Sequence, residues 1–289
     1  MKKHILILFV ALLLPTMVLA KIKVLASIVP VYNIAQAITG DKAELIVVVP
    51  PGASPHTFSP KPSQVRDFAQ ADVFLQVGAG LEFWADKLVE ASGNKKMVIV
   101  NFTKGMKLIQ NDSDGDKNES GNPHIWLDPV RAAGMAKKIC SGLVTADKKN
   151  KKYYQKNLEK FLKELNTLNK KTAAEVAKFK IKEFVEFHPA WPYFALRYGL
   201  KAAGVIEETP GREPSPKKVL ALVKKIKQAG IKAIFAEPQI SPKAAEVIAK
   251  EAGVKVLILD PLGKIKDGKI NGYISNFENN IKIMKEAMK

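Results

Sequence analysis

The sequence predicts an α/β protein of two lobes, each built on a parallel β-sheet, with one long helix joining them. Three observations lead to this fold class. Short β-branched runs alternate with helical patterns, the runs form two clusters, and a long amphipathic segment separates the clusters. Strands that are apolar along their whole length are typical of parallel sheets covered by helices on both faces.

Ahead of the first strand, the chain has the pattern of a secretory signal peptide. Lys2 and Lys3 precede an apolar run over residues 5–14, and small residues up to Ala20 form a cleavage site. A run of this length is about half of what a bilayer span needs. We therefore expect residues 1–20 to be removed on export, which places the protein in the periplasm or an equivalent extracytoplasmic space.

Seven predicted strands follow, four in the first lobe and three in the second. Each is a short apolar run, and a helical pattern comes after it. The runs are residues 22–28, 44–49, 72–78, 96–101, 182–188, 232–238 and 254–260. We place the first lobe at residues 21–146 and the second at residues 181–289.

The segment between the lobes, residues 147–180, contains neither proline nor glycine. Its apolar side chains recur at alternating spacings of four and three residues: Tyr154, Leu158, Phe161, Leu165 and Leu168. This spacing predicts one amphipathic helix, about 50 Å long at 1.5 Å per residue. The stripe also fits a coiled coil, but a stripe this short more often packs on its own protein. We expect a rigid link between the lobes.

The chain is strongly basic, with a net charge of +18 over 289 residues. Such a charge raises the question of nucleic-acid binding. The lysines are scattered over amphipathic helices, however, and the four arginines are not interleaved with aromatic residues. The pattern favours a solvated lysine-rich surface and no nucleic-acid partner.

Residues 110–122 form a polar, acidic stretch without a helical or strand period. Asp112, Asp114 and Asp116 resemble the start of a calcium-binding loop. Lys117 stands where that loop needs glycine, and Pro123 where it needs glutamate. We interpret the stretch as a surface loop rather than a calcium site.

Three histidines follow the predicted signal peptide, and each has a proline beside it. His56, His124 and His188 all lie in loops or at predicted strand ends, and Asp260 ends a strand in the same way as His188. Side chains at the carboxyl ends of strands in open α/β sheets face the ligand-binding crevice. One such histidine is well explained as a hydrogen-bonded loop residue. Three placed alike, with a carboxylate, favour a divalent transition metal, above all zinc.

With these residues, the sequence resembles the ZnuA/TroA-like family (solute-binding protein family 9), the zinc- and manganese-binding receptors of ABC importers. The resemblance covers essentially the whole chain after the predicted signal peptide. It rests on five segments: PPGASPHTFSPKPSQV, NPHIWLDP, FVEFHPAWPYFALRYGL, GREPSPKKVLALVKKIK and IFAEPQISPKAAEVIAKEAGVKVLILDPLG.

The resemblance implies a monomeric receptor that binds its metal in the cleft between the lobes and passes it to a membrane permease. Carried over by position, the ligands are His56 and His124 from the first lobe and His188 and Asp260 from the second. Manganese-type relatives tend to have glutamate where this chain has His188, so zinc is expected in preference to manganese. Zinc-type relatives often carry a histidine-rich loop before the second ligand; here that loop has no histidine.

Three more residues lie near the expected ligands in sequence or at the same crevice. Trp126 and Trp191 shortly follow the second and third histidines, and they either shield the metal from water or belong to the core. Glu237 ends a predicted strand at the same crevice, where it either orients an imidazole or serves as an ordinary strand-end acid.

The strongest alternative function is an exported zinc hydrolase; a surface adhesin is a third. Catalytic zinc sites have three protein ligands and a water in the fourth position. Without Asp260 as a ligand the site would have that form, with Glu237 as a base. The sequence has neither H-E-x-x-H nor G-x-S-x-G, and we expect a receptor without catalytic activity. With the ordinary histidine pKa of about 6.5, its metal affinity is expected to fall steeply between about pH 6.5 and 5.

Overall fold

The computed structural model describes residues 21–110, 121–209, 211–263, 265–266, 269–270 and 272–289. The predicted signal peptide and the centre of the acidic loop, residues 111–120, lie outside the described residues. Within the described part of the chain, no helix is both long enough and apolar enough to cross a bilayer.

The first lobe is built on a four-stranded parallel sheet with the strand order β2-β1-β3-β4. The chain enters the sheet through a strand whose apolar residues Val24 and Leu25 are fully buried, as predicted for a sheet covered on both faces. Helices α1, α2 and α4 contact the sheet, and α3 packs on α2. The elements are β1 (Ile22–Ala26), α1 (Val29–Thr39), β2 (Ala43–Val47), α2 (Gln64–Gln70), β3 (Val73–Gln76), α3 (Ala85–Ser92), β4 (Val98–Asn101) and α4 (Pro129–Ala146).

The long helix α5 is present but shorter than predicted. It runs over Lys151–Val176, after a 3-10 turn at Lys148–Asn150, whereas the spacing predicts a helix over 147–180. Asp147 ends α4, and its carboxylate accepts a hydrogen bond from the hydroxyl of Tyr154. This contact stabilises a turn between the two helices. The 26 residues of α5 give a length of about 39 Å rather than about 50 Å.

The second lobe repeats the architecture with a parallel sheet in the order β6-β5-β7-β8. The sequence analysis missed β6, whose segment KAAGV is rich in residues with low strand propensity. It also missed β9 and β10, two-residue strands that pair as an antiparallel hairpin. The elements are β5 (Glu183–Glu186), α6 (Pro192–Tyr198), β6 (Lys201–Val205), α7 (Pro216–Ala229), β7 (Ala233–Ala236), α8 (Lys243–Ala252), β8 (Lys255–Ile258), β9 (Ile265–Lys266), β10 (Lys269–Ile270) and α9 (Tyr273–Met288).

The apolar stripe of α5 packs on α1, α4 and α9 of the same chain. Tyr154, Phe161, Leu165 and Leu168 are buried, and Leu158 is half-buried. The stripe is thus covered by its own protein, and a coiled coil is not needed to explain it. Because α9 also contacts α1, the C-terminal helix packs beside the first lobe although it follows the second sheet in the chain.

Candidate metal centre

Three histidines from three separate loops meet in the crevice between the sheets. His56 lies in the loop after β2, His124 directly before a 3-10 helix at Ile125–Leu127, and His188 two residues after β5. Their ring centroids are 4.9 to 5.3 Å apart. His124 and His188 are buried, and His56 is half-buried. The structure therefore brings together all three histidines that the sequence analysis singled out.

The Nε2 atoms of the three rings face one another. Nε2 of His124 lies 3.3 Å from Nε2 of His56 and 3.1 Å from Nε2 of His188. A tetrahedral zinc ion with Zn–N distances of about 2.0–2.1 Å would hold its nitrogen ligands about 3.4 Å apart. Among the described residues these histidines form a group whose possible ligand atoms all lie within 4.8 Å of one another. The spacing fits a single small cation.

The other ring nitrogen of two of these histidines is already hydrogen bonded. Nδ1 of His124 donates to Oδ1 of Asn122 at 3.0 Å, and Nδ1 of His188 donates to the carboxylate of Glu237. The amide orientation of Asn122 follows from its network, since the same Oδ1 also accepts the backbone N–H of His124. Both rings therefore carry their hydrogen on Nδ1, which leaves the Nε2 lone pair for a metal.

Burial favours the neutral, metal-binding form of two of the imidazoles, those of His56 and His124. It lowers the pKa of His56 to about 3 and the pKa of His124 well below its ordinary value, and the nearby His188 ring adds to both shifts. The Nε2 lone pairs of His124 and His188 face each other at 3.1 Å. A cation between them would relieve their repulsion, and the buried side chain of Glu237, an acid, would partly balance its charge. The donor set fits a divalent metal that prefers nitrogen ligands.

Asp260, the expected fourth ligand, lies outside this close group of atoms. It is 7% exposed, and its Oδ1 accepts hydrogen bonds from Nε2 of Gln239 and from the backbone N–H groups of Leu262 and Gly263. Its Oδ2 is buried and has no hydrogen-bond partner in the described part of the chain. A buried carboxylate oxygen without a partner is costly. Oδ2 is therefore the oxygen of this carboxylate that remains available to a metal.

The structure bears in different ways on the roles expected for the residues beside the histidines. Glu237 contacts an imidazole, which is the first of the two roles expected for it. Trp126 is buried in the core with its ring 5.1 Å from that of His124. Trp191 is buried and packs edge-on against Phe194. Sequence reasoning missed Asn122, although an amide two residues before an expected ligand histidine was a usable signal.

The family of the chain follows from a match to a family model. The model described as ZnuA, the periplasmic component A of a zinc-uptake complex, matches residues 24–287. The chain belongs to this family. The resemblance inferred from the motifs is thereby confirmed, and the family is one of zinc-uptake components rather than of hydrolases.

Individual relatives agree with this assignment. The zinc-binding lipoprotein AdcA of Streptococcus pneumoniae R6 is 31% identical over 279 residues, which are 92% of this chain and 56% of that protein. The high-affinity zinc uptake system protein ZnuA of Bacillus subtilis is 29% identical over 280 residues, 93% of this chain and 88% of that protein. The chain thus spans little more than half the length of the first relative.

Solved structures confirm the two-sheet α/β fold with its long helix. A crystal structure of ZnuA has a TM-score of 0.83 at 30% identity and covers 93% of this chain and 99% of its own. The Zn(II)-bound ZnuA-like domain of Streptococcus pneumoniae AdcA has a TM-score of 0.77 at 30% identity and covers 93% of this chain and 99% of its own.

Proposed function

We propose that this chain captures one divalent metal ion outside the cytoplasm, zinc in preference to manganese, and delivers it to the membrane permease of an ABC importer. The proposed ligands are Nε2 of His56, His124 and His188 and Oδ2 of Asp260. The observation that carries the proposal is the convergence of three Nε2 atoms, two of them on rings whose Nδ1 hydrogens are committed elsewhere. Membership in a zinc-uptake family supports zinc as the cargo.

In this proposal the metal is cargo and not a catalyst. Four protein ligands close a tetrahedral shell and leave no position for a reactive water. His56 and His124 precede the long helix, whereas His188 and Asp260 follow it. We propose lobes at residues 21–146 and 181–289, joined by 147–180, so that each lobe supplies half of the shell.

The proposal includes a location and an assembly state. Residues 1–20 act as a cleavable signal peptide, and the family description, which contains the word periplasmic, supports an extracytoplasmic site of action. All four proposed ligands come from one chain, so a monomer suffices for binding. The surface lysines serve solubility, and no nucleic acid is a partner.

Zinc titration of the metal-free protein, made without residues 1–20, tests the proposal. We expect one tight site per chain and displacement of bound manganese by zinc. His124→Ala should weaken zinc binding by more than about 100-fold, since it removes a ligand rather than a supporting residue. Asp67→Ala, at a surface position with an exposed side chain, is the control and should leave zinc binding unchanged. Unchanged zinc affinity in His124→Ala would refute the assignment.

A further inference from the structure

The side chain of Asn122 is fully buried and makes hydrogen bonds next to two of the proposed ligands. Its Oδ1 accepts from the backbone N–H of His124 at 2.9 Å and from Nδ1 of the same residue at 3.0 Å. Its Nδ2 donates to the carbonyl oxygen of Pro189 at 2.7 Å. Pro189 directly follows His188 in the chain. One amide group therefore contacts the ring of one histidine and the backbone beside another.

The backbone of Asn122 is held from two directions as well. Its N–H donates to the carbonyl of Ile109 at 2.7 Å, and its carbonyl accepts from the hydroxyl of Tyr193 at 2.8 Å. Tyr193 belongs to α6 of the second lobe, and its hydroxyl oxygen also accepts the backbone N–H of Ile109 at 3.1 Å. Asn122 cannot rotate or shift without breaking hydrogen bonds in both lobes.

We infer that Asn122 is a positioning residue with two tasks at the metal centre. It holds His124 as the tautomer with hydrogen on Nδ1, so that Nε2 is ready for the metal. It also couples the position of His124 in the first lobe to that of His188 in the second. The inference rests on the proposed metal-binding function.

The chemistry of the side chain explains why an amide stands at this position. An amide combines an oxygen that accepts with an NH2 group that donates, whereas a carboxylate only accepts and an alanine does neither. Substitution of a residue that orients a metal-binding histidine typically lowers the metal affinity 10- to 100-fold. Loss of a residue that also joins two ligands from different lobes should lower the metal affinity by an amount within that range.

Three variants separate the two tasks. Asn122→Ala removes both. Asn122→Asp keeps an acceptor for His124 but loses the donor to Pro189, where a carboxylate oxygen would face a carbonyl oxygen. Tyr273→Phe is the matched control, because it removes a buried hydrogen bond between α9 and the carbonyl of Trp126 at 2.6 Å without touching a histidine. Each variant is titrated with zinc, and ¹⁵N NMR of the histidine ring nitrogens reports the tautomer.

We expect Asn122→Ala to bind zinc about 10- to 100-fold more weakly than the wild type, and its metal-free His124 to populate both tautomers. Asn122→Asp should keep the Nδ1–H tautomer and still bind more weakly than the wild type. Tyr273→Phe should bind zinc like the wild type even if it melts at a lower temperature.

The outcomes that oppose the inference are distinct from those that oppose the function. Wild-type affinity and wild-type tautomer in Asn122→Ala overturn the inference. If that variant does not fold, wild-type affinity in Asn122→Asp overturns the coupling of the lobes. A wild-type protein that binds no zinc overturns the proposed function instead.

Discussion

At the scale of single residues, three of the proposed ligands share one arrangement. Each has one polar atom held by the protein and a second atom left for the metal. In His124 and His188 the held atom is Nδ1, and in Asp260 it is Oδ1. The hydrogen bonds to the held atom fix the direction of the second atom, so the side chain needs little reorientation when the metal binds.

The role of Asp260 is tested by Asp260→Asn. This substitution keeps an oxygen that can accept the hydrogen bonds of Oδ1, but it replaces Oδ2, the proposed ligand atom, with an NH2 group that cannot ligate. We expect a stable protein whose zinc affinity falls by more than about tenfold, and no hydrolysis of a test ester. Isothermal titration and an esterase assay measure the two quantities. Unchanged affinity would remove Asp260 from the ligand set, and a gain of ester hydrolysis would favour the hydrolase alternative.

Burial changes the pH dependence of binding from the one that the ordinary histidine pKa suggests. Protons compete with a metal only for rings that titrate in the same range. Burial lowers the pKa of His56 to about 3, so this ring stays neutral as the pH falls from about 6.5 to 5, and burial also shifts the pKa of His124 well below its ordinary value. His56 therefore takes up no proton in that window.

We accordingly predict that between about pH 6.5 and 5 the metal competes with at most two protons rather than with the three expected for three histidines of ordinary pKa. Competition titrations against a chelator of known protonation behaviour, run at several pH values, give the slope in protons per metal. A slope of three protons per metal in that window would show that His56 titrates near its ordinary pKa.

At the scale of elements, the start of α4 links helix formation to the metal centre. The carboxylate of Asp128 accepts the backbone N–H of Val130 at 2.9 Å and so caps the helix. The same carboxylate receives two hydrogen bonds from the guanidinium of Arg197 in α6, at 2.8 and 3.0 Å. His124 lies four residues before this acid, so the cap also anchors the loop that carries the histidine.

Asp128→Ala tests this link. The variant loses a helix cap and the partner of an arginine from the other lobe, and we expect its free energy of unfolding to fall by about 2–4 kcal/mol. Asp67→Ala, in the first turn of α2 with a part-buried ion pair to Lys23 at 3.3 Å, is the control and should cost less than about 1 kcal/mol. Urea unfolding followed by circular dichroism measures both. Equal losses in the two variants would contradict a special role for Asp128.

At the scale of the whole molecule, hydrogen bonds between protein groups join the two lobes across the crevice. Nε1 of Trp126 donates to the carbonyl of Pro261 at 2.7 Å, and Asn122 reaches Pro189 at 2.7 Å. Helix α9 adds to these contacts by packing on α1 and α5. With the lobes held in this way, we expect metal binding to produce small shifts rather than a wide hinge closure.

Because each lobe is proposed to supply two ligands, zinc should also stabilise the folded protein as a whole. A ligand that binds only the native state adds RT ln(1 + [L]/Kd), about 4 kcal/mol at a thousandfold excess over Kd. For a chain of this size that corresponds to a rise in melting temperature of about 10 °C. Differential scanning calorimetry with and without zinc measures the rise. His124→Ala should lose most of it, and a full rise in that variant would place the stabilising zinc elsewhere.

The features that the sequence alone determined are those encoded by local patterns. Apolar runs predict all four strands of the first sheet and three of the second, and the spacing of the α5 stripe predicts the long helix. Both signals depend on residues a few positions apart. The prolines beside the histidines and the family motifs are local as well, and they were enough to select the three histidines and Asp260 as candidates.

Only the tertiary structure decided how those candidates are arranged. His56 and His124 are 68 residues apart in the chain, and His124 and His188 are 64 apart, so no local pattern sets the distances between their Nε2 atoms. Folding likewise pairs the Ala- and Gly-containing strand β6 with β5 and ends α4 with Asp147 as its C-cap. It also orients Asp260 so that Oδ1 is hydrogen bonded and, among the described residues, Oδ2 is not. These features depend on packing between distant segments, and packing is a property of the whole fold.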